Sequence, residues 1–202
     1  GYFGRDVFDF RNGRQSLKVN IPWGNTTGTL RWNHVFNNKL FSNTTLVYND
    51  YNFKFGAAQN NFEVQLASGI RDLNLKTDFD FYPFSNHKLQ FGGLYTYHRF
   101  TPSVVSGRQD SVVFNPLNAQ VKYAHETALY LQDDWEISPD FKVNMGLRFS
   151  SFQQIGPHKI YTTDADNNRL DSVVYQKGKP VKIYSGLEPR LTMRYSINEE
   201  TS

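Results

Sequence analysis

The fold is decided by the stretch DLNLKTDFDFY at residues 72–82. Its odd-numbered positions from 73 to 81 carry Leu, Leu, Thr, Phe and Phe, whereas its even-numbered positions from 72 to 80 carry Asp, Asn, Lys, Asp and Asp. Successive side chains of a β-strand point to opposite faces, so this order gives one apolar face and one charged face. On a helix the same apolar positions would scatter, since alternate residues lie about 200° apart around the axis. The stretch therefore predicts a strand whose two faces meet different surroundings.

Similar alternation elsewhere predicts seven strands in an all-β, antiparallel arrangement. Besides residues 72–82, the predicted strands cover residues 26–36, 40–55, 89–97, 129–135, 143–150 and 187–197. In the segment 40–55 the polar and apolar positions are mixed. Pro189 falls on the apolar face near the expected start of the last strand, where a missing N–H donor is tolerable. The longer of these spans, at 11 to 16 residues, exceed the roughly 5 to 6 typical of soluble strands and fit a tilted membrane crossing.

The connections between the predicted strands fall into two classes. Short turns, rich in turn-forming residues, are predicted at residues 37–39, 83–87, 138–140 and 198–201. A modest connection is predicted at residues 56–61, and long loops at residues 101–123 and 153–184. Short turns on one rim and longer loops on the other are typical of outer-membrane barrels, whose turns face the periplasm. The loop lengths therefore favour a transmembrane β-barrel.

Aromatic residues near the predicted strand ends support the same interpretation. They predict two interfacial girdles, formed by Trp32, Phe36, Tyr48, Tyr51, Phe81, Tyr82, Tyr95, Tyr97, Trp135 and Tyr195. Because single-chain bacterial barrels close with an even number of strands, seven strands indicate part of a larger barrel. The sequence also opens at Gly1 without a signal segment, which leads us to expect that both termini are cuts.

Composition limits the classes of protein that the chain can belong to. Hydrophobic residues make up 39% and aromatic residues 16%, and the mean hydropathy is -0.59. No run approaches the roughly 18 apolar residues of a spanning helix, which excludes a helical membrane protein but not a barrel. The absence of Cys excludes disulfides and thiolate metal sites. A net charge of +3 with scattered basic residues argues against nucleic acid as a partner.

Several segments resemble the barrel of TonB-dependent transporters. They are ETALYLQDDW at residues 126–135, VNMGLRFS at 143–150 and LEPRLTMRYSI at 187–197. The segment LRWNHVFNNKLFSNTTLVYNDY at residues 30–51 resembles the Bacteroidetes branch of that family.

The resemblance implies a segment of a barrel of about 22 strands in the outer membrane of a Gram-negative bacterium. Residues 1–202 would then form part of one barrel domain, without the plug domain and the remaining strands. The implied partners are outer-membrane lipid, the plug, the TonB energising complex and a surface substrate-binding lipoprotein. The implied activity is active uptake of a siderophore, glycan or peptide, and the sequence does not specify which.

We predict no catalytic, cofactor or metal site. Asp164, Asp166 and Asn168 match the opening of a calcium-binding loop. However, Arg169 replaces the required Gly and Tyr175 the bidentate acid, so a hairpin tip is the favoured interpretation.

Charged residues on predicted strands are interpreted as walls rather than as ligand sites. Asp72, Asp78 and Asp80 share a face with Lys76, as expected for a polar lumen wall that meets the plug. Asp133 and Asp134 should lie on opposite faces beside Trp135, near the periplasmic rim.

The remaining motifs carry no chemistry that we can assign. The histidines at positions 34, 87, 98, 125 and 158 lie on different elements without metal-ligand spacing. N-x-T matches at Asn25 and Asn43 are chance-level patterns. No nucleophile elbow, P-loop or Cys/His pair is present, so an enzyme is the least supported class.

Two alternatives stay open at this point. One is a small closed barrel of about eight strands that acts as a porin or adhesin. The other is a soluble, carbohydrate-binding β-sandwich, which would remain soluble without detergent.

Overall fold

A computed structural model of the chain describes residues 1–12, 15–114, 120–166 and 168–197. Its strands are β1 (Tyr2–Asn12), β2 (Gln15–Asn37), β3 (Leu40–Gln59), β4 (Phe62–Phe81), β5 (His87–Gln109), β6 (Val112–Phe114), β7 (Lys122–Ser138), β8 (Phe141–Ile155), β9 (His158–Thr163), β10 (Arg169–Tyr175) and β11 (Pro180–Tyr195). None of the described segments forms a helix with the length and apolar character needed to span a membrane.

The strands form one large antiparallel sheet and one separate hairpin. Neighbours in the large sheet follow the order β1-β2-β3-β4-β5-β7-β8-β11, with β6 paired to the far end of β5. The strands β9 and β10 form the separate hairpin. Because consecutive long strands are neighbours in space, each needs only a local connection, which is the up-and-down order of an antiparallel wall.

The structure corrects the predicted strand count and several boundaries. The described residues contain eight long strands where about seven were predicted, because β1 was not predicted. The first half of β2 was also missed. The predicted connection at 56–61 is a two-residue turn, in which Asn60 has a φ of 52°. The predicted loop at 101–123 is partly strand, since β5 continues to Gln109. The predicted loop at 153–184 contains the β9–β10 hairpin.

The short turns are stabilised by local side-chain hydrogen bonds. Asn37 Oδ1 accepts hydrogen bonds from the backbone N–H groups of Lys39 (2.8 Å) and Leu40 (3.0 Å). Ser138 Oγ accepts one from the Phe141 N–H at 3.1 Å. These contacts confirm turns at residues 37–39 and 138–140, whereas the turn predicted at 198–201 lies outside the described residues.

The register places the apolar residues of neighbouring strands on one face, which we call the outer face. Leu75 lies between Leu46 of β3 and Tyr95 of β5. Leu75 is 44% exposed and Leu129 65% exposed. Within the described residues the buried hydrophobic side chains are only Ala124, Ala128, Val143 and Ile155. A sheet with so much exposed apolar surface and so small a core requires an apolar solvent on that face.

The apolar and polar faces exchange places along β2, β3 and β4. The exchange occurs at one ladder position, where Asp50 lies opposite both Thr26 and Arg71. Below this level, towards the 37–39 turn, most of the large apolar residues lie on the outer face, although Phe41 and Val47 of β3 face inward. Above it, the outer face is polar and the opposite face, which we call the inner face, is apolar. This reversal is the reason that the segment 40–55 has mixed polarity in the sequence.

An ion pair marks the level of the reversal on the outer face. Arg71 Nη2 lies 2.6 Å from Asp50 Oδ2, and Arg71 Nε donates to the same oxygen at 2.8 Å. Charged groups of this kind belong at or beyond the edge of the hydrocarbon, where water and headgroups solvate them. We therefore take the Asp50–Arg71 pair as the upper edge of the lipid-facing band.

Pro189 lies inside β11 rather than near its start. It pairs with Leu147 of β8. It lies inside the strand because β11 begins at Pro180, seven residues before the alternation seen in the sequence.

Candidate functional site on the inner face

The lower inner face carries a network of charged and amide side chains. Lys76 Nζ lies 2.9 Å from Asp78 Oδ2, and Asp78 also accepts a hydrogen bond from the Tyr130 hydroxyl. Asp80 Oδ1 accepts a hydrogen bond from Gln90 Nε2 at 2.7 Å, and Lys88 Nζ lies 3.6 Å from the same oxygen. The predicted row of Asp78, Asp80 and Lys76 is thus one polar surface whose charges are balanced by neighbours.

A glycine allows Tyr130 to reach Asp78 across an intervening strand. Tyr130 is on β7 and Asp78 on β4, with Gly92 of β5 between them. A Cβ atom at Gly92 would overlap the Thr77 carbonyl oxygen and the Tyr130 hydroxyl. The absence of a side chain at Gly92 therefore lets one hydrogen bond connect three strands.

His98 joins the third predicted aspartate to the next strand. Its Nδ1 lies 2.8 Å from Asp72 Oδ1, and its Nε2 lies 3.2 Å from Glu126 Oε2. The imidazole also stacks on Phe100, with ring centroids 5.3 Å apart. His98 was not predicted to take part in the acidic row, because its partners are distant in sequence and meet only through the strand register.

A concavity on the same face runs from β3 to β11. Its volume is about 460 Å³, and its charged lining includes Lys76, Asp78, Arg148, Glu188 and Arg190. Arg148 Nε is buried and has no hydrogen-bond partner among the described residues. A buried guanidinium donor without a partner favours an occupant that carries acceptor groups.

The upper inner face is an apolar, aromatic wall that the sequence did not reveal. It consists of inward residues of β2, β3 and β4, namely Val19, Ile21, Trp23, Tyr51, Phe53, Phe55, Val64, Leu66 and Ile70. Tyr2 of β1 meets the Trp23 ring edge-on at 5.5 Å. The available signal was that the apolar residues of segment 40–55 move from even to odd positions. It was missed because apolar residues were expected at positions of one parity along the whole strand.

The predicted positions of Asp133 and Asp134 on opposite faces are confirmed. Asp133 Oδ2 lies 2.8 Å from His87 Nδ1 on the outer face, where the His87 ring stacks on Trp135 at 5.2 Å. Asp134 faces inward and accepts a hydrogen bond from Asn144. His87, the last residue of the predicted turn at 83–87, is thus the partner of Asp133.

The other histidines lie apart from one another. His34 lies between Trp32 and Phe36 in a row of rings on the outer face. His125 Nδ1 lies 2.7 Å from the Tyr95 hydroxyl, and His158 begins β9. Within the described part of the chain no group of three or more His, Cys, Asp or Glu side chains could hold a metal ion.

The predicted hairpin tip at Asp164 is confirmed by the β9–β10 pairing. Asp164 Oδ1 accepts hydrogen bonds from the N–H groups of Asp166 (3.0 Å) and Asn168 (2.8 Å). Its Oδ2 accepts one from Asn168 Nδ2 at 3.1 Å. Hydrogen bonds from Asn168 lower the pKa of the Asp164 carboxyl below its ordinary value of 3.8. The Asp164 carboxylate therefore accepts hydrogen bonds from N–H donors of the turn with the same oxygens that a calcium-binding loop would direct at its cation.

We expect Asp164→Ala to loosen the hairpin tip without affecting the sheet. The amide protons of Asp166 and Asn168 should exchange faster with solvent, as measured by hydrogen exchange of the full parent protein. Since the folded pKa is lowered, this stabilisation is present above the ordinary pKa and is lost as pH falls through the folded value. Asp166→Ala is the control because it keeps the backbone donor; equal loosening in both variants would contradict this role.

Comparison with known proteins agrees with the geometry. A family model described as TonB dependent receptor-like, beta-barrel matches residues 1–202. No curated protein and no solved structure matches the chain. The family description names a β-barrel. A single antiparallel wall that is apolar outside and polar inside across one band is what a transmembrane barrel requires. The chain therefore belongs to the TonB-dependent receptor-like β-barrel family and is a segment of an outer-membrane transporter barrel.

Proposed function

We propose that the chain forms part of one barrel domain in a transporter that takes up a nutrient actively across the outer membrane of a Gram-negative bacterium. The nutrient is a siderophore, glycan or peptide. The plug, the remaining strands and the segment that engages TonB belong to other parts of the parent protein. The reversal of apolar and polar faces at Asp50 and Arg71 is the observation that carries this proposal.

The lower inner face suits contact with a plug. Its acidic groups have partners on neighbouring positions, as in the Lys76–Asp78 ion pair and the His98–Asp72 hydrogen bond. The unpartnered Arg148 Nε offers a donor to a plug carboxylate or carbonyl. A hydrated polar interface of this kind holds a plug in place and still allows it to move when the TonB complex acts.

The upper inner face suits capture of the nutrient. Above the lipid band, the aromatic side chains of Trp23, Phe53 and Phe55 face the interior of the barrel instead of the outside. Aromatic faces stack on sugar rings, on aromatic siderophore groups and on apolar peptide side chains. A surface lipoprotein that delivers the nutrient to this mouth, and a Bacteroidetes host, complete the proposal.

Growth on single nutrients tests the proposal. A strain without the parent gene is grown with ferric siderophore as the only iron source, glycan as the only carbon source, or peptide as the only nitrogen source. We expect a defect with one of the three, and the same defect in a strain without TonB. Normal growth of the deletion strain with all three would overturn the proposed transport function.

The aromatic wall gives a sharper version of this test. Trp23→Ala combined with Phe53→Ala should raise the nutrient concentration for half-maximal growth by about tenfold, because stacking contacts are lost. The matched control is Thr26→Ala with Asn52→Ala, which changes the outer face of the same strands. Equal effects of both pairs, at equal amounts of protein in the outer membrane, would show that the inner wall has no special role.

A further inference from the structure

The inward side chains of β1–β4 carry almost no charge above the level of the face reversal. From the level of Asn49 upward, the described inward positions of these strands contain neither Lys nor Arg, and Asp6 and Asp72 are their only charged residues. The basic residues of the same strand segments face outward, namely Arg5, Lys18, Lys54 and Arg71. An anionic ligand, such as a negatively charged ferric siderophore complex, would therefore meet two carboxylates and no cation on this wall.

A row of inward polar side chains borders the lower edge of the aromatic wall, and we call it the polar ledge. It consists of Asn25 and Thr27 of β2, Asn49 of β3 and Asp72 of β4. Thr27 Oγ1 donates to Asn49 Oδ1 at 2.9 Å, and Asn25 Nδ2 donates to Thr27 Oγ1 at 3.4 Å. Asn25 Oδ1 is buried and accepts no hydrogen bond within the described residues. A buried acceptor without a donor is costly, and a ligand hydroxyl that donates to it removes that cost.

Trp23 forms a platform beside the polar ledge. A Cβ atom at Gly4 of β1 would overlap the indole ring, so the ring lies against the backbone of that strand. The Tyr2 ring meets the indole edge-on at 5.5 Å. Trp23 is half-buried, with its other side turned to the interior, and Asn25 follows about 7 Å along the same strand face. A ligand that stacks on Trp23 can therefore reach Asn25 with its polar edge.

We propose that the transported nutrient is a neutral glycan and that Trp23 and the polar ledge bind it. A sugar ring has an apolar face of C–H groups, which packs on an aromatic ring, and a rim of hydroxyls, which donate and accept hydrogen bonds. A hydroxyl of the sugar on Trp23 donates to Asn25 Oδ1 when the amide turns about its terminal bond. The Asn49 amide offers N–H donors to neighbouring hydroxyls. The inference rests on the proposed transport function and narrows its substrate to one class.

Growth separates this inference from the transport function itself. The strain without the parent gene is grown on neutral polysaccharides of glucose, xylose, mannose or galactose, each as the only carbon source. We expect a defect with one of them, and normal growth with ferric siderophore as the iron source and with peptide as the nitrogen source. A defect confined to iron or nitrogen supply would overturn the glycan inference and leave active uptake intact. Normal growth under every condition would refute the transport function.

Binding to the purified full parent protein tests the site. The probe is the neutral hexasaccharide of the sugar that shows the defect, and its affinity is measured by titration calorimetry in detergent. We expect Asn25→Ala to weaken binding about tenfold, because a hydrogen bond to a buried acceptor is lost. The control is Asn52→Ala, which removes an amide from the outer face of the neighbouring strand at nearly the same level. Its affinity should stay within about twofold of the unaltered protein.

The charge of the wall gives a second readout. A carboxymethylated form of the same hexasaccharide should bind about tenfold more weakly than the neutral form, because Asp6 and Asp72 repel it. Asp6→Asn should recover part of this loss without changing the affinity for the neutral probe. Equal affinity for both probes would show that the wall does not select by charge and would overturn the neutral class. Equal weakening of binding by Asn25→Ala and Asn52→Ala would show that the polar ledge has no role in recognition.

Discussion

Replacing Leu75 with Arg is expected to destabilise the membrane-embedded barrel by about 2 to 4 kcal/mol. Leu75 is exposed on the outer face, between Leu46 and Tyr95, inside the apolar band. A guanidinium at this depth has neither water nor an anionic partner within the hydrocarbon. Urea-induced unfolding of the parent protein in lipid vesicles measures the change, and the amount in the outer-membrane fraction shows its effect on assembly. Phe79→Arg, on the same face, should behave similarly.

Asn74 provides the matched control for this change. It is the next residue of β4 and faces inward, where its Nδ2 donates to Thr96 Oγ1 at 2.7 Å. Asn74→Arg loses that hydrogen bond, a cost of about 1 kcal/mol, but keeps its charge in a polar interior. Equal damage from arginine at positions 74 and 75 would contradict the assigned faces and, with them, the membrane placement.

The second large effect is expected from Gly92→Val. The new side chain overlaps the Thr77 carbonyl oxygen and displaces the Tyr130 hydroxyl from Asp78. Overpacking and the loss of a hydrogen bond to a carboxylate together amount to about 3 kcal/mol. The same unfolding measurement applies, and hydrogen exchange should show weaker protection of β4 and β5 around Thr77.

Gly28→Val separates this effect from the general consequences of replacing a strand glycine. A Cβ atom at Gly28 would meet nothing within 4 Å, and Gly28 lies on the outer face opposite Tyr48. We expect a change within about 0.5 kcal/mol. If both glycine variants unfold at the same urea concentration, the close approach of Tyr130 over Gly92 is unimportant for stability.

The lower half of the sheet could be predicted from the sequence because one rule applies there. From Asp72 to Phe81, even positions face water and odd positions face hydrocarbon, so alternation alone gives both strand and facing. The predicted turns at residues 37–39 and 138–140 followed from turn chemistry in the same way. The assignment to the family rested on the segments at residues 126–135, 143–150 and 187–197, and it is confirmed by the family model that matches residues 1–202.

The upper half could not be predicted because the rule is inverted there. At Tyr51 and Phe53 the apolar residues face the interior. The pattern along β3 therefore looks irregular when apolar residues are expected on one face throughout the strand. Contacts between distant residues, such as His98 with Asp72 and Glu126, depend on register, which alternation does not specify. The start of β11 was missed because Pro180 and the residues after it carry little alternation.

The reversal of faces on β2, β3 and β4 also protects these strands from pairing errors. A slip by one residue is prevented because it would turn every side chain to the wrong solvent. A slip by two residues keeps each side chain on its original face, so in a strand of uniform pattern it would not be penalised in this way. Here it would move Asp50 or Arg71 about 7 Å along the strand relative to its neighbour, separating the ion pair or drawing a charge into hydrocarbon. The position of the reversal thus encodes the depth of each strand in the membrane, while alternation encodes only its orientation.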